Sequence, residues 1–152
     1  MKLVRITGQW LSVFFVLILL SGCVWFTYHY EFSQEVDSIV SIDICRYKYN
    51  EDSPEMTIIC SLDHDQIELF VSDIAALDSY KYFGDFSHTF DGILVYIAYE
   101  NGEGEVLSAY TTATVDLNGN WSVRVDNFNK GAFSSVILKY VDPALVPELE
   151  NP

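Results

Sequence analysis

Positive charge is what this chain has least of. Eight of its 152 residues are Lys or Arg against 22 Asp or Glu, a formal net charge of −14. A field of that sign repels phosphate backbones and anionic lipid surfaces, which sets aside nucleic acid as a partner. It suits cationic partners and loosely held divalent cations. The acids are scattered, as on an ordinary solvated surface. Cysteine is also scarce, with only Cys23, Cys45 and Cys60. Cys45 and Cys60 alone do not complete a metal ligand set. No repeat, no low-complexity segment and no G-x-S-x-G nucleophile motif occurs. Aromatics are plentiful: 3 Trp, 10 Tyr and 10 Phe, in a chain half hydrophobic, exclude a disordered composition.

Charge is missing from the leading end as well. After Lys2 and Arg5 the run from Ile6 to Tyr30 is uncharged, and Glu31, Glu35 and Asp37 follow. A short basic region, an apolar stretch and small residues make the pattern of a secretory signal. Positive charge stays on the cytoplasmic side, so the remainder is expected outside. The apolar run closes on Leu20-Ser21-Gly22-Cys23. That stretch resembles the lipobox of bacterial lipoproteins, a resemblance confined to residues 1–23. It implies removal of signal segment 1–22, lipidation of Cys23 and an extracytoplasmic address at the cell membrane. Val24 to Tyr30 departs from the polar tether usual in such proteins. Trp10 to Tyr28 is 19 uncharged residues, close to the ~20 that span a bilayer core. The alternative is therefore an uncleaved transmembrane anchor over 6–30, with Trp25, Tyr28 and Tyr30 at the interface. Both readings leave the domain outside.

All 22 acids and six of the bases follow Cys23, so that part is sixteen charges negative. Its length suits one domain. Residues 23–37 read as a tether, 38–142 as the domain and 143–152 as a loose tail. Ser38–Tyr49 and Met56–Leu62 are rich in β-branched and aromatic residues and read as a hairpin. A symmetric turn over 50–55 sets Cys45 opposite Cys60, a candidate disulfide if the register holds. Asp65, with Glu68 three residues on, reads as the N-cap of an amphipathic helix over 66–80. Phe83–Gly92 reads as a loop. Three more strands follow, Ile93–Glu100, Val106–Leu117 and Trp121–Phe128, joined at Asn101-Gly102 and Asn118-Gly119. Lys130–Val141 is a second helix, stopped by Pro143. The order ββαβββα predicts an α+β fold in two layers. An antiparallel, roughly five-stranded sheet carries both helices on one face, preceded by the hydrophobic export or anchor helix.

Asp63, His64 and Asp65 form the densest polar cluster and are weak metal candidates, since alternate residues at a strand-to-helix junction need not converge. Asp116-Leu117-Asn118-Gly119-Asn120 imitates the start of a calcium loop. Trp121 stands where that loop needs Gly and Asn127 where it needs Glu, so a hairpin turn explains it. Glu100, Glu103 and Glu105 read as exposed hairpin acids without a specific role. Asp85, Ser87, His88 and Asp91 supply triad residue types without motif support. Tyr80, Tyr82, Phe83, Phe86 and Phe90, with Trp121, are candidates to line a binding groove. The expected function is a non-catalytic, membrane-anchored binding domain without a cofactor. Its partner is an envelope protein, a peptide or a glycan. The alternative is a small hydrolase or metal-dependent enzyme using His64 or His88 with nearby Asp residues. A third reading is an inhibitory lipoprotein acting by sheet extension, whose sign is an unpaired, uncharged outer strand.

Overall fold

The computed structural model describes residues 27–49, 55–81, 91–124 and 126–149. Cys23 with the leading segment, the 50–54 turn, and the stretch holding Tyr82, Phe83, Asp85, Phe86, Ser87, His88 and Phe90 lie outside the described residues. The fold is α+β, with antiparallel strands and two helices, as the sequence predicts. It has two sheets, where the sequence predicts one. The strands are β1 (Thr27–His29), β2 (Ile39–Lys48), β3 (Glu55–Ser61), β4 (Asp78–Lys81), β5 (Gly92–Tyr99), β6 (Gly104–Leu107), β7 (Thr112–Val115), β8 (Trp121–Arg124) and β9 (Asp126–Phe128). The larger sheet runs β3-β2-β5-β6-β7-β8 and the smaller β1-β4-β9.

Three local features split the elements the sequence merges. Val106–Leu117 breaks because the Ser108 Oγ accepts the backbone N–H groups of Tyr110 and Thr111, building a turn without Gly or Pro. Trp121–Phe128 divides between the two sheets, since β8 pairs with β7 and β9 pairs with β4. The first helix ends at Ala75, and Asp78–Lys81 pairs as the central strand of the smaller sheet. Ser79 is buried there, its hydroxyl donating to the Tyr28 carbonyl at 2.7 Å.

Helix α1 spans His64–Ala75 and α2 spans Lys130–Ile137. The cap of α1 is Asp63, two residues earlier than Asp65. Its carboxylate accepts the Gln66 N–H at 3.0 Å, while the Gln66 side chain accepts the Asp63 N–H at 3.0 Å. Both Asp residues have an acid or amide three positions on, so the motif alone does not choose between them. Phe70, Val71 and Ile74 of α1 and Phe133, Val136 and Ile137 of α2 join one core with Ile42, Ile44, Val95 and Ile97. Both helices thus cover one face of the larger sheet.

The hairpin register differs from the sequence expectation. Ile44 pairs with Cys60 but Cys45 with Ile58, leaving Ile59 as an extra residue in β3. This bulge turns both Ile59 and Cys60 toward the helix-side core. Cys45 faces the opposite side, so the expected disulfide does not form and both thiols are free. The described parts of the expected tether and tail pack on the domain. Tyr30 is 3 % exposed, enclosed by the domain itself, and Phe32 packs on the core. In the tail, Val146 is fully buried. Arg46 meets Glu148 at 3.0 Å and donates to the Leu145 carbonyl at 2.7 Å.

Candidate functional site: the open face of the larger sheet

Side chains alternate across a strand, so the residues between the helix-facing ones point away from the helices. Cys45, Leu94, Val106, Ala113 and Val115 build a second core on that side, joined by Tyr47 and Tyr96. Burial, and then the charge of Asp43, pushes the Cys45 thiol up to about 11. Tyr96 lies diagonally over Gly104, where an added Cβ would come 2.6 Å from its hydroxyl. A side chain at 104 would displace the ring.

The same face carries a row of exposed apolar groups. Ile58 opposes Cys45 and Met56 opposes Tyr47. Trp121 and Val123 oppose Val115 and Ala113. Ile58 is 58 % exposed, Met56 47 %, Trp121 46 % and Val123 43 %. The Tyr47 and Trp121 rings meet at 6.0 Å between centroids, tilted by 38°. Strand β8 therefore curls toward β2 over the second core, and the row becomes one band from edge strand β3 to edge strand β8. Burial raises the Tyr47 hydroxyl above its ordinary range, which keeps that ring neutral and amphipathic.

The helix-covered face holds a different feature. Glu105 shares that side with Leu107 and is fully buried. The hydroxyls of Tyr30 and Tyr99 donate to its carboxylate. Ser33 donates its N–H at 3.1 Å and its hydroxyl at 3.2 Å, and Arg124 approaches at 3.0 Å. The Arg124 guanidinium also lies 5.2 Å from the Tyr30 ring centroid. Burial and the Glu105 charge raise both tyrosines far above the usual phenol range, so both stay hydrogen-bond donors. Glu105 is thus a structural hub and not the exposed acid the sequence suggests. A groove of about 320 Å³ beside it is lined by Ser33, Gln34, Glu103, Asp116, Asn120 and Ser122, among others. Glu103 is engaged there by Gln34 at 2.8 Å. The Asp116 carboxylate accepts from the side chain and backbone of Asn120 and the backbone of Asn118, contacts that hold its pKa low.

The remaining candidates separate. His64 and Asp65 are exposed on α1, and Asp63 is spent on the cap. Asp91 accepts the backbone N–H of Tyr49. Glu100 is an exposed turn residue. Among the described residues, no group of three or more His, Cys, Asp or Glu is placed to hold a metal ion. Tyr80 is 42 % exposed in β4 and Trp121 lies in β8, so the two belong to different sheets. Tyr47, Met56, Ile58 and Val123 are the members of the band that the aromatic-rich loop after the first helix does not point to. The period-2 alternation of β2, β3 and β8 would select them. Comparison with known protein families, with characterised proteins and with solved structures finds no match for this chain.

Proposed function

We propose that this chain is a membrane-tethered extracytoplasmic domain that binds a partner and performs no chemistry of its own. Cys23, following the apolar leading segment, is the lipid attachment point in this reading. The band of Ile58, Met56, Tyr47, Trp121 and Val123 supports the binding role. Isolated exposed apolar side chains are ordinary, but a connected row with Trp and Tyr at its centre is the composition of a recognition surface. The occupant is a peptide segment of an envelope protein. An aromatic pair supplies area with little rotamer entropy to lose, as binding surfaces require. For the alternative hydrolase reading, Asp63 is engaged as the helix cap and His64 stands exposed on α1, while His88 lies outside the described residues.

Two measurements test this. Mass spectrometry of the membrane-extracted protein should find Cys23 as the acylated first residue. A displayed random-peptide library should be panned on the full chain in lipid nanodiscs. It should enrich sequences that are lost when Trp121→Ala is the target. Identical enrichment on the two targets would refute the open face as the binding surface.

A further inference from the structure

We propose that β3 is a docking edge to which an extended, basic segment of a partner protein adds as a seventh strand. This rests on the open face being the binding surface and names what that surface recognises. Strand β3 ends the larger sheet, and among the described residues no strand pairs with its outer side. An open edge is a template for another chain, and proteins usually blunt it with charges, Pro or a β-bulge. Strand β3 carries one charge, Glu55 at its start; Met56-Thr57-Ile58 after it is uncharged and free of Pro. Its one irregularity, the bulge at Ile59, leaves Glu55–Ile58 in regular register with β2.

The two faces of this edge differ in chemistry. Met56 and Ile58 point to the open face, where they begin the apolar band. Glu55 and Thr57 point to the helix side, opposite Lys48 and Arg46. Arg46 is already held by Glu148 at 3.0 Å. Asp63 and Asp65 lie just beyond the end of the strand. An added strand therefore meets apolar groups with one set of alternate side chains and a net acidic margin with the other. The matching sequence alternates apolar and basic residues. Main-chain bonds supply affinity and the alternation supplies selectivity. The domain's sixteen excess negative charges draw such a segment in, and they disfavour a second copy of this chain as the occupant.

The test uses the full chain in nanodiscs of zwitterionic lipid and a fluorescent peptide of alternating Val and Lys. Saturable binding is expected, weakened by added salt and absent for an alternating Val and Glu peptide. Methylating alternate backbone amides of the Val and Lys peptide, in the register facing the sheet, should weaken binding roughly tenfold or more, the worth of one or two lost hydrogen bonds. Ile58→Lys, on an exposed site that tolerates substitution, should weaken it similarly. The strand proposal is overturned if the peptide does not bind, or if amide methylation and Ile58→Lys leave binding unchanged. If those two changes have no effect while Trp121→Ala removes binding, strand addition fails and the open-face reading stands. If none of the three matters, both fail. Sedimentation showing a dimer that Ile58→Lys dissolves would instead assign the edge to a second copy.

Discussion

Replacing Glu105 by Gln tests the account of the fold most directly. The substitution keeps size and shape and changes only what the two terminal atoms can do. One carboxylate oxygen accepts from Tyr30 and Arg124, and the other from Tyr99 and both donors of Ser33. The amide of Gln must point its NH2 at one of these sets. Tyrosine and serine hydroxyls rotate and can accept instead. The Ser33 backbone N–H and the Arg124 guanidinium cannot, so either orientation leaves donor facing donor. One buried donor loses its partner and the charge-assisted bonds weaken. The expected cost is about 3 kcal/mol, since Arg124 is partly exposed and recovers water while Glu105 is fully enclosed. For a domain of this size that lowers Tm by about 10 °C. Urea unfolding followed by circular dichroism should show the midpoint falling with m unchanged. Arg124→Met, which leaves an enclosed carboxylate without its cationic partner, should cost a similar amount, about 3 kcal/mol, with the four other donors to Glu105 limiting the loss. A Glu105→Gln loss under about 1 kcal/mol would refute the hub.

Other outcomes follow from the same packing. Gly104→Ala should destabilise by about 1–3 kcal/mol, because the new methyl overlaps the Tyr96 ring; denaturant midpoints check it, and an unchanged midpoint would mean the ring moves freely. Alkylation in denaturant without reductant should label both Cys45 and Cys60. In the native state Cys60 should react first, since burial holds the Cys45 thiol up at about 11; a mass two hydrogens lower would reveal the disulfide. The Asp73 carboxylate is held low by its 2.7 Å bond to Lys139, with Tyr140 assisting. Its folded pKa lies below its unfolded one, so its contribution is present at neutral pH and is lost as pH falls through the folded value. Asp73→Asn should therefore cost up to about 1 kcal/mol at pH 7 and nothing in strong acid, read from unfolding midpoints at several pH values. Ile58→Lys should change stability by less than about 0.5 kcal/mol, since the side chain is mostly solvent-exposed.

Much of the architecture is legible in the residue pattern, and the exceptions have identifiable causes. The alternation in β2 and β5 marks strands. Gly102 and Gly119 hold the positive φ that their Asn-Gly pairs announce. Both helices show their apolar stripes. The smaller sheet is hidden because β1 and β9 are three residues each and β4 continues the helical spacing of α1. The bulge at Ile59 leaves no composition signal, yet it decides the fate of two cysteines. Glu105 looks like its exposed neighbours, and only its parity with Leu107 shows that it points inward. For the binding face, Trp121 is visible as an aromatic. Its connection to Met56 and Ile58 depends on sheet curl, which no single strand encodes.

The entry of the chain into the smaller sheet has a mechanical consequence. Thr27 is already hydrogen-bonded strand, and only Val24, Trp25 and Phe26 separate it from Cys23. Four backbone steps reach at most about 14 Å. A globule acylated at Cys23 would ride close above the lipid headgroups on a leash too short for free tumbling. Its acidity would push it off an anionic leaflet, holding the leash taut and fixing which side looks outward. Rising ionic strength would slacken it.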